Sequence, residues 1–326
     1  MTGIFKANNP SNNAVLFLYG IALKLPMFLH PVMPQVQPQD GVFYKGLLQF
    51  LSPAGGSFPF VYSIVTFVLL YIQAVSFNKI VNTQRMHKQL SYLTGMSYLL
   101  ITSLFADWFV LSAPLVVNTF LIWIFARLCS LYNNQKPKAT IFNIGLVAGL
   151  CTFFYFPSVA FILLIMVGIT IARPFRLQEW LTGLAGIITP VYFFGAYLFL
   201  FDKWKTFHFP GLSLSYPHFY GNNRAYAALA ILFIASAIGI YFVNTNFSRQ
   251  VVQTRKSWSL LFLYLIVAAF VPFLNAGQNF SYWILLAVPL APVIAAAFLY
   301  PQKKIFPLLL HWIMFGIYVA VAYFFR

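Results

Sequence analysis

Acidic side chains are nearly missing from this chain: there are four Asp and Glu in 326 residues, against twenty Lys and Arg. Charge of either sign is scarce as well, at 7%, where soluble domains carry about 25%. With 61% hydrophobic residues and a mean hydropathy of +0.81, that scarcity excludes a water-soluble globular fold. Cysteine is limited to Cys129 and Cys151, which form neither a disulfide framework nor a CxxC metal pair and are expected to be packing residues. No repeat of the inverted-transporter kind, low-complexity tail or attached soluble domain is visible. No small-residue cleavage site follows the first apolar stretch, so that stretch is expected to stay as the first span. A net charge of +16 would suit a nucleic-acid binder if the basic residues shared one polar face. They fall instead in small groups between apolar runs, so the expected partner is the lipid bilayer and not nucleic acid.

What the chain does contain is a succession of apolar runs. A helix needs about 20 apolar residues to cross roughly 30 Å of hydrocarbon. Eleven candidate spans run over 13–30, 59–77, 91–106, 108–128, 140–156, 158–172, 181–201, 225–243, 258–274, 281–299 and 306–325. The expected fold is therefore an all-α integral membrane protein, a single polytopic domain over residues 1–326.

Lys and Arg set the orientation, because short cytoplasmic loops retain them. With the N-terminus inside, the inner segments hold Lys6; Lys79, Arg85 and Lys88; Arg127, Lys136 and Lys138; Arg173 and Arg176; Arg249, Arg255 and Lys256; and Lys303 and Lys304. That is fourteen of the twenty. The outer side keeps Lys45, Lys203, Lys205, Arg224 and Arg326, while Lys24 lies within the first span. On this topology Asp40, Asp107 and Asp202 face outside, and only Glu179, beside Arg173 and Arg176, faces inside. An ionisable group in or near the bilayer is by default a functional-site hypothesis. Residues 140–172 must cross twice around a turn at Phe156-Pro157-Ser158, and the pair around Asp107 is equally tight. Such short helices beside longer ones are expected to leave a depression on the outer side, bordered by Asp40, Asp107 and Lys24.

The first outer loop, HPVMPQVQPQDGVFYKGLLQFLSPAGGSFP, carries the sharpest local signal. Pro31, Pro34 and Pro38 stiffen an extended approach to Asp40, which precedes a helix with Phe43, Leu47 and Leu51 along one stripe. Asp40 reads either as the N-cap of an amphipathic helix lying in the interface, or as a carboxylate held there as a general base. The later loop DKWKTFHFPGLSLSYPHFYGNNRAY reads either as an aromatic belt or as a platform for sugar rings. His30, His208 and His218 are too dispersed for a metal motif. His87 and His311, near the inner side, carry no partner signal. Lys24, in KLPMFLH, reads either as a snorkelling interfacial Lys or as a charge available to a phosphate.

Three segments carry a family resemblance: Gln39-Asp40-Gly41-Val42-Phe43-Tyr44; Asp107 in FADWFVLSAPLVVNTFLIWIFARL; and GQNFSYWILLAVPLAPVIAAAF with Tyr282, Pro289 and Ala291. Their order resembles the GT-C superfamily of polytopic glycosyltransferases. The chain also looks like Bacteroidota membrane proteins, a likeness that names no activity. The GT-C resemblance implies a seven-span core over residues 1–201, then an outer loop and four further spans over 202–326, in a bacterial inner membrane, where the Lys and Arg asymmetry puts the N-terminus in the cytoplasm and the C-terminus in the periplasm. It implies transfer of a sugar from a polyprenyl-phosphate donor, with Asp40 and Asp107 catalytic. Lys24, Tyr44, Lys203, Lys205, His208, His218, Arg224, Gln278 and Tyr282 would bind substrate, and basic groups or a divalent cation would stabilise the phosphate leaving group. The departures are Gly41, where many members have a second acid, and Gln278, Asn279 and Ser281, where many have Lys or Arg ahead of the late Tyr. A non-catalytic GT-C-like lipid-binding or assembly subunit is the first alternative. A carrier or lipid flippase is the second, although transporters usually place coupling acids near the midplane. A reporter fused after Arg326 should behave as extracytoplasmic; cytoplasmic reporter activity there would remove one span and reverse the sidedness of the acids.

Overall fold

The computed structural model describes residues 2–205, 214, 223–274, 280–303 and 305–323. Among them the chain is helical apart from its connections and two isolated bridges, Asp40 with Tyr155 and Leu214 with Leu274. The helices are α1 (Thr2–Lys6), α2 (Asn12–Leu29), α3 (Val42–Gly55), α4 (Phe60–Thr83), α5 (Leu93–Ile101), α6 (Ala113–Ser130), α7 (Pro137–Phe154), α8 (Phe161–Ala172), α9 (Leu177–Leu200), α10 (Asn223–Phe247), α11 (Val252–Phe270), α12 (Ala287–Leu299) and α13 (Ile305–Tyr323). Tight 3-10 turns over Ala106–Phe109, Phe156–Ala160 and Phe280–Leu286 lead into α6, α8 and α12. Among the described residues nine helices are long and apolar enough to cross a membrane, which makes this a multi-pass membrane protein.

Two of the eleven expected spans come out short. The run 91–106 is α-helical only over the nine residues of α5, and 158–172 falls in a short apolar helix, Phe156–Ala172, whose first turn is 3-10 and whose α-helical part is the twelve residues of α8. α5 stops where Thr102 and Ser103 turn their hydroxyls back onto the carbonyls of Tyr98 and Leu99, at 2.9 and 2.7 Å. Hydroxyls placed this way compete with continued helix formation.

α5 and α12 pack against each other at the centre, and every residue of both is buried. Lipid tails are as apolar as Leu, so helices in a bilayer gain little from burying apolar surface and rely on close packing and interhelical hydrogen bonds. α12 accordingly presents Ala287, Ala291 and Ala295 to Ala297, and α10 crosses it at Gly239, where a Cβ would lie 2.1 Å from the Val293 carbonyl oxygen. α7 and α9 approach just as closely. A Cβ on Gly145 would lie 2.3 Å from the Gly183 oxygen, and one on Gly186 would lie 2.3 Å from the Phe142 oxygen.

Polar groups lock the remaining contacts. The Tyr98 hydroxyl donates to Gln73 Oε1, and Gln73 Nε2 donates to the Leu115 carbonyl and Thr119 Oγ1 at 2.8 and 2.7 Å. Asn118 Nδ2 donates to the Ile284 carbonyl at 3.0 Å, so α4, α5, α6 and the turn before α12 are bolted together. Glu179, in the first turn of α9, pairs with Arg173 Nε at 3.3 Å. Arg173 in turn donates to the carbonyls of Leu131 and Asn134. This acid is a clamp between two connections, well placed at a helix N-terminus. His311 has a partner after all: its Nε2 lies 3.0 Å from the Tyr19 hydroxyl. Cys129 and Cys151 are free and buried, as packing residues should be.

A side chain at Gly186 would have to displace backbone of α7. Gly186→Val should therefore destabilise the purified protein by about 3 kcal/mol or more, while Ile188→Val, at a 60% exposed position of the same helix, should stay within about 0.5 kcal/mol. Melting temperatures in a mild detergent would compare the two.

Candidate functional site

At the end of the bundle where α2 and α5 finish, a cavity of about 240 Å³ opens between the strip after α2, the start of α3, the turn before α6 and the turn before α12. Prolines 31, 34 and 38 hold the strip extended. Alternation then places Gln35 and Gln37 in the cavity wall. Gln39, two residues further on, accepts a hydrogen bond at 2.9 Å from the Tyr282 hydroxyl.

The strip is fixed against the chain that leaves α7. Gly41 N donates to the Phe154 carbonyl at 2.9 Å and Phe156 N donates to the Gln39 carbonyl at 3.1 Å. Tyr155, between them, stacks on Tyr282 with ring centroids 5.5 Å apart. The approach is so close that a Cβ on Gly41 would sit 1.9 Å from the Phe153 oxygen. Any side chain at position 41, a second acid included, is therefore sterically barred here.

Asp40 is 4% exposed and lines the cavity. It does not cap α3 as the N-cap reading expects: Gly41 holds the N-cap position without a side-chain bond, and Asp40 Oδ2 instead accepts the Gln37 N–H at 2.7 Å. The difference is one residue of register, which turns the carboxylate back toward the strip. Burial pushes its pKa up to about 6, opposed by the Gln37 N–H and the charge of Lys45. The expected stripe on α3 also shifts. Tyr44 and Leu48 are buried, Leu47 and Leu51 are partly so, and Phe43 is half-exposed against Phe153 and Phe154.

Asp107 lines the same cavity from the turn Ala106–Phe109. Burial raises its pKa, and an N–H from Phe280 opposes that rise. The neighbouring Trp108 Nε1 donates to the Phe280 carbonyl at 3.1 Å, so this turn grips residue 280 by both its amide and its carbonyl. Tyr44 and Tyr282 complete the set. The Tyr44 hydroxyl donates to the Leu111 carbonyl at 2.9 Å, and burial raises its pKa.

Four of the sequence-derived candidates, Asp40, Tyr44, Asp107 and Tyr282, thus meet in one place. Lys24 does not join them. It is fully buried, donates to Thr102 Oγ1 at 3.1 Å and lies 4.8 Å from the centre of the Phe109 ring, so it neither snorkels nor reaches the cavity. Lys203 and Lys205 are exposed beyond α9 and do not line it either. His208, His218 and Gln278 lie outside the described residues, as does the side chain of Arg224. Gln35, Gln37, Ser112 and Ser281 also form the wall. The alternating glutamines of QVQPQ, in a proline-stiffened stretch, were the available signal for the first two.

Among the described residues no group of three His, Cys, Asp or Glu gathers around a metal position. The described wall nevertheless offers two carboxylates together with the amide and hydroxyl oxygens of Gln35, Gln37, Ser112 and Ser281, and no His or Cys, a chemistry that fits a hard divalent cation better than zinc. No Lys or Arg appears among its described lining residues.

An all-helical multi-pass membrane protein with an acid-lined cavity at one end of the bundle is the class these observations define. Residues 42–326 match DUF6427, a family of unknown function, and the chain belongs to that family. Lys24 and Asp40 lie ahead of the matched segment. No curated protein and no solved structure matches the chain.

The folded chain holds the Asp40 proton more tightly than an unfolded chain would. Asp40 therefore weakens the fold progressively as pH rises from about 4 to about 6, and by a constant amount above that. Asp40→Asn keeps an acceptor for the Gln37 N–H and should be more stable to unfolding than the parent at pH 7.5, by roughly 2–3 kcal/mol, with the gain, read from melting curves, shrinking toward pH 4. A gain of equal size at both pH values would show that the carboxyl titrates normally.

Proposed function

We propose that this protein is a GT-C-like glycosyltransferase of the bacterial inner membrane, moving a sugar from a polyprenyl-phosphate donor to an acceptor at the outer face. On this reading the N-terminus is cytoplasmic and the C-terminus periplasmic. The short segments α5 and Phe156–Ala172 complete eleven passes, and α3 lies in the outer interface. The observation that carries the proposal is the placement of Asp40 and Asp107, far apart in sequence, in the wall of one cavity of about 240 Å³.

The chemistry follows from the residues. A carboxylate with a pKa of about 6 is ionised at neutral pH yet basic enough to take a proton from a hydroxyl in the transition state. Asp40 Oδ2 is held by Gln37, which fixes the direction from which the carboxylate meets an acceptor hydroxyl. The acceptor oxygen bonds to the anomeric carbon as its proton passes to Asp40, and the bond from that carbon to the phosphate oxygen breaks, releasing polyprenyl phosphate. Gln35, Gln37 and Ser281 supply neutral donors and acceptors suited to sugar hydroxyls. Asp107, with those neutral oxygens, is the residue that would hold a divalent cation, whose charge would neutralise the departing phosphate in a cavity whose described wall holds no Lys or Arg.

That missing cationic residue also favours a second reading, a GT-C-like lipid-binding or assembly subunit without transfer activity. The two separate experimentally. Asp40→Asn, in a protein that stays folded, should cut glycan transfer by at least ~10²-fold, and residual transfer in the parent should fall below pH 6 as Asp40 protonates. Unchanged glycan output with Asp40→Asn and with Asp107→Asn would favour the non-catalytic subunit. Substrate movement in proteoliposomes that needs no sugar donor would favour a carrier.

A further inference from the structure

At the opposite end of the bundle, where α2 and α5 begin and α4 ends, a second cavity of about 370 Å³ opens. Its wall is rich in hydrogen-bond donors: Lys79, the amides of Asn8, Asn13 and Asn78, and the Tyr92 hydroxyl. Asn78 is 3% exposed, and its Oδ1 accepts the Gly95 N–H at 3.2 Å. That bond fixes the amide and leaves its NH₂ without a protein acceptor in the cavity wall. Asn82 frames the site instead of binding, since both ends of its amide are engaged by the Ser91 backbone.

No carboxylate faces these donors. Asp40 and Asp107 line the other cavity, Asp202 follows α9, and Glu179 is paired with Arg173. A site with an ammonium, several neutral donors and no acid selects an anion with several acceptor oxygens, for which phosphate is the common choice. Two further features bear on the source of that phosphate. The cavity lies where membrane-spanning helices end, at the level of lipid headgroups. Below Lys79, on the same face of α4, the exposed residues Ile72, Val68 and Ile64 form an apolar track along the helix.

We propose that this cavity binds the phosphodiester headgroup of an anionic phospholipid. Lys79 and the Asn78 amide hold the phosphate oxygens, and an acyl chain lies along Ile72, Val68 and Ile64. The site is separate from the acid-lined cavity and does not depend on the transfer reading.

The test uses the full chain purified in a neutral detergent and titrated with phosphatidylglycerol, phosphatidylcholine or inorganic phosphate. Bound lipid is counted by native mass spectrometry, and melting temperature is followed in parallel. Phosphatidylglycerol should bind and raise the melting temperature more than phosphatidylcholine does. Lys79→Gln, an exposed and structurally mild change, should weaken that binding about 10-fold, the usual effect of losing one charge-assisted hydrogen bond. Lys136→Gln, a cation elsewhere on the surface, should leave binding as it is. Equal losses in the two variants would reduce the effect to diffuse surface charge and overturn the site, as would unchanged binding in Lys79→Gln. Inorganic phosphate that protects as well as the lipid would assign the site to a free anion and overturn the lipid claim.

Discussion

A helix of nine residues is about 14 Å long and cannot reach both faces of a bilayer. α5 is such a helix, buried along its whole length beside α12, and much of the architecture follows from that. The chain on either side of α5 has to travel as non-helical backbone within the protein, which is tolerated at depth only where other protein or a water-filled cavity receives it. At one end that backbone becomes the stretch from Thr102 to Ser112, whose polar groups are met by Phe280, Tyr44 and Lys24. At the other it becomes the approach through Leu90 and Tyr92. One cavity lies beyond each end of this short helix.

Strong periodic features were legible in the sequence and contextual ones were not. Apolar runs marked the spans because hydrocarbon imposes its demand on each helix separately. Asp40 and Asp107 could be brought together because two short hairpins opening on one side leave few other places for their turns. Lys24 was not legible in the same way. Its partner Thr102 lies 78 residues away, and nothing in KLPMFLH indicates which way the side chain points. The cap at Asp40 failed for a similar reason. Local preference favours Asp ahead of a helix, but the approach of Phe153 and Phe154 to Gly41 sets the register of the strip and takes the carboxylate with it.

The distribution of charge gives the molecule two unlike ends. Among the described residues, one cavity gathers half of the acids and no lining cation, while the other gathers donors around Lys79 and no acid. Between them Gln73, Tyr98 and Asn118 tie helices together through neutral hydrogen bonds, which carry no charge into the low-dielectric interior.

α9 carries two unrelated demands along its length. One face meets the backbone of α7, with no room for another atom at Gly186 and with the Gly183 carbonyl against Gly145, and the opposite face leaves Ile188, Tyr192 and Phe199 open to lipid. Lipid asks only that a side chain be apolar, whereas the contact with α7 asks that there be none. Substitutions in this helix should therefore accumulate on one side as a loose drift among large apolar residues while the other side stands still, so that its evolutionary record reads as two sequences interleaved at the period of a helix.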